Sequence, residues 1–285
     1  MSKKVYEIVT QRIIEKLKEG TVPWKRPFQS YAPVNWVTGR EYRGINLLLL
    51  EPNGEYATFH QIKKAGGKVK KGEKSSIVVF WKWIEIKNDD EDAEEETKKI
   101  PFLRYYHVFE INTQVEGLES KRKVAEYVHD PIEKAEEIIR NFRDKPKIIH
   151  ENSGAWYKPL IDTVNVPDKK YFHDIHEYYS AMFHELVHST GHEKRLNRKG
   201  ITNLSPFGSK QYSREELVAE IGASMLCAMA GIENHTIDNS AAYIQGWLKA
   251  LENDHTLVVK ASQQAQKACD YILGKMDEQN EEVVA

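Results

Sequence analysis

Two histidines four residues apart, with a glutamate beside the first, constrain this chain more than any other feature. They occur in His184-Glu185-Leu186-Val187-His188. Residues four apart share a helix face, so both imidazoles reach one ion. Glu185 is turned by about 100° and addresses a water on that ion. This is the H-E-x-x-H pattern, in which two histidines bind zinc and the glutamate is a general base. A surface helix with two ordinary histidines has the same spacing. Ala181, Met182, Phe183, Leu186 and Val187 argue against it, because they make the helix apolar and predict its burial. Buried imidazoles beside a buried carboxylate need partners, and a metal supplies them.

A zinc site open to water takes three protein ligands. The metzincin extension would place a histidine at 194, where this chain has Lys194, and that subclass is excluded. His192 lies about 12 Å further along a continuous helix and joins only if the helix breaks, as Gly191 permits. Downstream, Ser213 and Glu216 read as a capping box opening a helix, on which Glu216 and Glu220 share a face. A glutamate followed four residues later by an acid resembles the second helix of the glutamate-type zincins. That likeness implies Glu216 as third ligand to zinc (Zn2+) and Glu220 as the carboxylate that orients a histidine ligand. The reverse assignment stays open, as do two solvated acids.

At 285 residues the chain suits one large or two ordinary domains, and its 40% hydrophobic and 29% charged content fits a globular protein. The run Ile45–Leu50 is too short to span a membrane, and the N-terminus lacks the apolar core of a secretory signal, so the cytoplasm is expected. Cys227 and Cys269 read as buried thiols on helices rather than a disulfide framework.

Residues 3–19 carry Val5, Ile8, Val9, Ile13 and Leu17 at helical spacing. An extended basic and aromatic segment, Val22–Phe28, follows. A turn at Thr38-Gly39 and a short helix opening at Thr58 come next, and then six lysines between Lys63 and Lys74. Ser76–Ile86 and Phe102–Asn112 read as strands around an acidic loop, Asn88–Thr97. Residues 1–128 hold 23 Lys/Arg and 19 Asp/Glu. Seven of the acids sit in that loop, so the rest is basic by 11. Cations interleaved with aromatics suit single-stranded nucleic acid, since every base has a π-face and every linkage a charge. The same composition fits a lysine-rich solvated surface. The candidate DNA contacts are Trp24, Trp36, Arg40, Tyr42, Arg43, Phe59, Lys68, Lys70, Lys71 and Lys74. Beyond the polar connection Glu116–Lys123, an amphipathic helix (131–143), three short strands and four further helices are expected.

Over nearly its whole length the chain resembles the ArdC-type antirestriction proteins of plasmids and other mobile elements. The likeness rests on Pro23-Trp24, Pro33-Val34-Asn35, Thr38–Asn46, Thr58–Gln61, Gly66–Lys74 and Val108–Ile111. In the second half it rests on His184–His192 with Arg195-Leu196, Phe207-Gly208-Ser209 and Glu215–Ala223. The resemblance implies an α+β chain of two domains. Residues 1–126 would form a mixed α/β single-stranded-DNA-binding domain. Residues 127–285 would form a mainly helical zincin-like metallopeptidase domain with a small sheet. It also implies protection of incoming DNA from restriction. The acidic loop departs from the family pattern, as does Glu110, where the family more often has Asn after Val-Phe.

Two functions follow from these residues. In the first, His184, His188 and Glu216 hold zinc, Glu185 is the base, and an unidentified protein or peptide is cut. In the second, the chain protects DNA by occupancy and its metal site is structural or vestigial. A purely structural site has no need of Glu185. A nuclease or deaminase site is disfavoured, because H-x-E paired with P-C-x-x-C is absent. No membrane partner is expected.

Overall fold

The computed structural model describes residues 2–25, 31–87, 97–122, 130–202, 210–232 and 241–275. The acidic run 88–96, the segment 26–30, Phe207-Gly208-Ser209, the tail 276–285 and the expected domain boundary at 126/127 lie outside them.

Helix α1 (Ser2–Lys18) buries Val5, Val9, Ile13 and Leu17 on one stripe, and Gly20, at φ 79°, turns the chain away from its end. Fully burying each of these side chains is worth about 1.5–3 kcal/mol. Strand β1 (Val34–Asn35) leads through α2 (Asn46–Leu49) to β2 (Glu55–Thr58), which runs parallel to it. Thr58 and Gln61 cap α3 (Phe59–Lys64) reciprocally, each side chain accepting from the other's backbone N–H. Strand β3 (Lys68–Val69) follows and later pairs with β6. Strands β4 (Ser76–Lys87) and β5 (Thr97–Glu110) form a long antiparallel hairpin, with Ser76 opposite Val108 and Lys87 opposite Thr97. After α4 (Ile111–Gln114) comes β6 (Val115–Glu116). The main sheet has the order β1-β2-β5-β4, and β2 reaches only Val108–Glu110 of β5.

The second half opens with α5 (Pro131–Asn141), capped by the Asp130 side chain. Strands β7 (Lys147–Ile149), β8 (Trp156–Lys158) and β9 (Thr163–Asn165) form a sheet of order β7-β9-β8. Helices α6 (Ile175–Ser189), α7 (Lys199–Thr202), α8 (Lys210–Ala230), α9 (Ala241–Asn253) and α10 (Leu257–Ile272) complete an α+β fold. One expectation is corrected here. Ser213 does not open its helix, because α8 already runs from Lys210 and places Ser213 inside it. A capping-box spacing is local, and a helix packed on both sides extends past it.

The halves share one core. Val9, Ile13, Trp24 and Leu103 belong to the same buried cluster as Leu186, Val218, Leu226 and Ala265. Polar contacts reinforce the junction. Thr10 Oγ1 donates to the His255 carbonyl at 2.6 Å, Gly44 N donates to Gln266 Oε1 at 3.0 Å, and Arg43 pairs with buried Asp270. Cys227 and Cys269 are free and buried, and burial pushes the Cys227 thiol up to about 12. No described helix is long and apolar enough to cross a membrane.

Candidate metal centre

Helix α6 begins where the Asp174 carboxylate accepts from His176 N at 2.9 Å. Tyr179, Met182, Phe183 and Leu186 bury one side of it. Helix α8 crosses it closely, and Gly222 marks the contact. A Cβ at that position would come within 2.9 Å of both γ-carbons of Val187. This approach sets Glu216, six residues earlier on α8, against the two histidines.

His184 Nε2 and His188 Nε2 stand 3.1 Å apart. Glu216 Oε2 lies 3.6 Å from the first and Glu216 Oε1 lies 3.5 Å from the second. The three residues offer one ligand atom each, all within 4.8 Å of one another. Two ring nitrogens facing each other beside a carboxylate are poorly satisfied alone, since one shared proton serves both. His184 Nδ1 is also buried, with no hydrogen-bond partner among the described residues. Two imidazoles and one carboxylate are a donor set for a divalent metal, so the residues fit one. Glu185, next to the first histidine, is buried as well. His192 is buried too, but its Nδ1 accepts from Lys194 N at 3.2 Å and it is not part of the cluster.

Behind His188 stands a carboxylate that the spacing did not single out. Glu215 Oε1 lies 3.5 Å from His188 Nδ1, long for a hydrogen bond, and 2.6 Å from Arg198 Nη2. Arg198 also donates to Thr190 Oγ1 at 2.6 Å and to the Val187 carbonyl at 2.8 Å, tying the end of α6 to α8. Burial works against charge on both partners. On His188 the neighbouring Glu215, Glu216 and Glu185 outweigh it and raise the pKa to about 8. On Glu215, His188 and Arg198 hold the carboxyl below its ordinary range. Adjacent glutamates at 215 and 216 point to different helix faces, so Glu216 faces the Nε2 atoms of both histidines while Glu215 lies behind His188. The only trace of it in sequence was a second acid at that position.

Glu220 makes no described hydrogen bond to a histidine. Its Oε2 accepts from Trp24 Nε1 at 2.9 Å and from the Tyr243 hydroxyl. Burial, opposed in part by these bonds, raises its pKa.

The candidate DNA contacts divide. Trp24 is wholly buried, edge-on to Trp247 at 5.8 Å, and offers no face to a base. Trp36 is also buried. Its Nε1 donates to the Glu119 carbonyl at 2.9 Å, and Lys121 Nζ covers its ring at 3.7 Å. Both are corrected from stacking residues to packing residues, because a tryptophan's area is worth more in a core than on a surface. Tyr42 packs edge-on against Tyr56, and Arg43 is committed to Asp270. Lys70 Nζ donates to the Thr113 carbonyl at 2.7 Å. Phe59 is 59% exposed, and Arg40, Lys68, Lys71 and Lys74 are exposed as well.

Residues 3–109 match the family described as the N-terminal domain of anti-restriction factor ArdC, and residues 133–264 match zincin-like metallopeptidases. The chain is 34% identical to a DNA primase TraC of Escherichia coli over 99% of its own length, but spans only 28% of that protein. It is 31% identical to the uncharacterized protein y4eC of Sinorhizobium fredii (strain NBRC 101917 / NGR234), covering 98% of this chain and 95% of that one. The metal-free crystal structure of the antirestriction protein ArdC from plasmid R388 superposes with a TM-score of 0.72 at 34% identity. That match covers 97% of this chain and 99% of the other. An Mn(II)-bound structure of the same protein gives the same TM-score and covers 95% and 97%. An ArdC-type first half and a zincin-like second half, matched from end to end by a solved relative, place this chain in the ArdC antirestriction family.

Proposed function

We propose that the chain is a zinc-dependent peptidase that also binds single-stranded DNA, and that it protects incoming mobile-element DNA from restriction. The observation that carries this reading is the convergence of His184 Nε2, His188 Nε2 and a Glu216 carboxylate from a second helix, with Glu185 beside them. A zinc ion held by those three residues would supply Lewis acidity and an activated water. The rest falls to the chain. His184 and His188 present their ring Nε2 atoms side by side, and Arg198, bonded to Glu215 and to the Val187 carbonyl, steadies the helix end that carries His188. Glu185 accepts the water's proton on its carboxylate and returns it to the leaving amine nitrogen of a peptide. Exposed cations in the first half, Arg40, Lys68, Lys71 and Lys74 among them, supply the charge a DNA strand requires.

Glu185→Gln separates catalysis from occupancy. Gln is nearly isosteric, so metal content, fold and DNA affinity should match the wild type. It cannot take up the proton, so hydrolysis should fall by roughly 10²–10⁴-fold. In cells challenged with restricted DNA, loss of protection is expected. Full protection by the metal-loaded variant would overturn the peptidase reading and leave occupancy as the mechanism.

A further inference from the structure

The β4–β5 hairpin extends past the end of β2, and its two faces differ. One face packs inward through Ile77, Val79, Trp81 and Leu103, with Tyr6 of α1 edge-on to Trp81. The opposite face is packed at its base, where Val78 and Val108 meet Leu50 and Tyr56. Beyond that base, alternation places Phe80, Lys82, Phe102, Arg104 and Tyr106 on this second face. Phe80 and Tyr106 stack at 4.6 Å with ring planes 5° apart, and Tyr106 is 43% exposed. The Arg104 guanidinium lies 5.8 Å from the Phe102 ring centroid. Lys82 and Arg104 are exposed and form no ion pair with a described residue. No acid occupies this face between Ser76 and Ile84 or between Ile100 and Val108.

We infer that this face, from Phe80 and Tyr106 out to Lys82 and Phe102, is the platform on which single-stranded nucleic acid stacks. The inference rests on the DNA-binding reading above and gives it a location that the buried Trp24 and Trp36 do not provide. An exposed Tyr106 ring stacked on a half-buried Phe80, flanked by cations with no ion pair among the described residues, matches the bases and phosphates of a single strand. A duplex hides its base faces and gains only from the cations. An apolar protein partner gains from the rings but not from Lys82 and Arg104. The seven acids between Asp89 and Glu96 oppose a polyanion, so the platform stops short of the hairpin's tip.

The experiment is fluorescence anisotropy of the full chain with a labelled 20-nucleotide oligothymidine and its duplex, at several salt concentrations. Phe80→Ala/Tyr106→Ala should weaken oligothymidine binding by about 5–150-fold, the range of one stacked base, with an unchanged salt slope. Lys82→Glu/Arg104→Glu keeps both rings and should flatten the log–log salt slope by about 1.4, two phosphate contacts at about 0.7 each. Circular dichroism checks that both variants remain folded, and the charge variant reports independently if the ring variant does not. Wild-type affinity in both variants, or duplex bound as tightly as single strand, would overturn the platform while leaving DNA binding intact. If the wild type ignores oligothymidine altogether, single-stranded DNA binding is itself wrong.

Discussion

Trp24 Nε1 donates to Glu220 Oε2 across 2.9 Å, joining residues 196 positions apart in the chain. The indole comes from the ArdC-like first half, and the carboxylate sits one helical turn beyond Glu216, the candidate metal ligand. The helix that carries Glu216 is therefore anchored, one turn further on, by a residue of the half expected to bind DNA. Tyr243 donates to the same oxygen, so the carboxylate is held from two sides.

Trp24→Phe removes the N–H donor and puts a smaller ring into a fully buried site. Loss of the hydrogen bond costs about 0.5–1.5 kcal/mol, and the cavity left by the smaller ring adds to it. The variant should melt several degrees lower and bind metal more weakly in a chelator competition. Unchanged metal affinity would show that Trp24 packs the junction without positioning α8.

His184→Ala and His188→Ala should each lose bound metal, and Glu216→Ala should weaken it more than Glu220→Ala does. Metal analysis of purified protein tests this and distinguishes zinc from manganese. If Glu220→Ala strips the ion while Glu216→Ala keeps it, the ligand assignment is reversed.

Gly222→Ala adds one carbon where Val187 stands 2.9 Å away. Overpacking of this kind costs about 1–3 kcal/mol and here also pushes α8 from α6. Both the melting temperature and metal affinity should fall. A variant as stable as the wild type would show that the helices yield without cost.

Asp162 is paired with Arg195 and accepts from the Tyr157 hydroxyl at 2.9 Å. Burial works to raise its pKa, but Arg195 and Tyr157 outweigh it, and the folded value lies below the ordinary 3.8. The carboxylate therefore contributes stability that is present above pH 3.8 and lost as pH falls through the lower folded value. Asp162→Asn should be less stable than wild type at pH 7 by about 1–3 kcal/mol. Denaturant titrations should show that gap closing below pH 4, and a gap independent of pH would remove Asp162 from the ledger.

The sequence by itself marked the local elements and the histidine pair, and left the choice between Glu216 and Glu220 open. β-Branched and aromatic content marked β4 and β5, helical spacing marked α1, and Ala57–Gln61 marked the start of α3, because each signal is carried by neighbours in the chain. His184 and His188 were legible for the same reason, since one helix turn fixes their spacing. Tertiary structure alone decided the rest. Trp24 and Trp36 read as stacking residues by composition, yet both are buried, because burial depends on what packs against a ring. Glu215 and Arg198 are 17 residues apart, and their bond forms only when the loop after α6 folds back on α8. Glu220 met Trp24 rather than a histidine for a similar reason. Contacts across nearly 200 residues are set by how helices dock around one core, and no spacing along the chain encodes that docking.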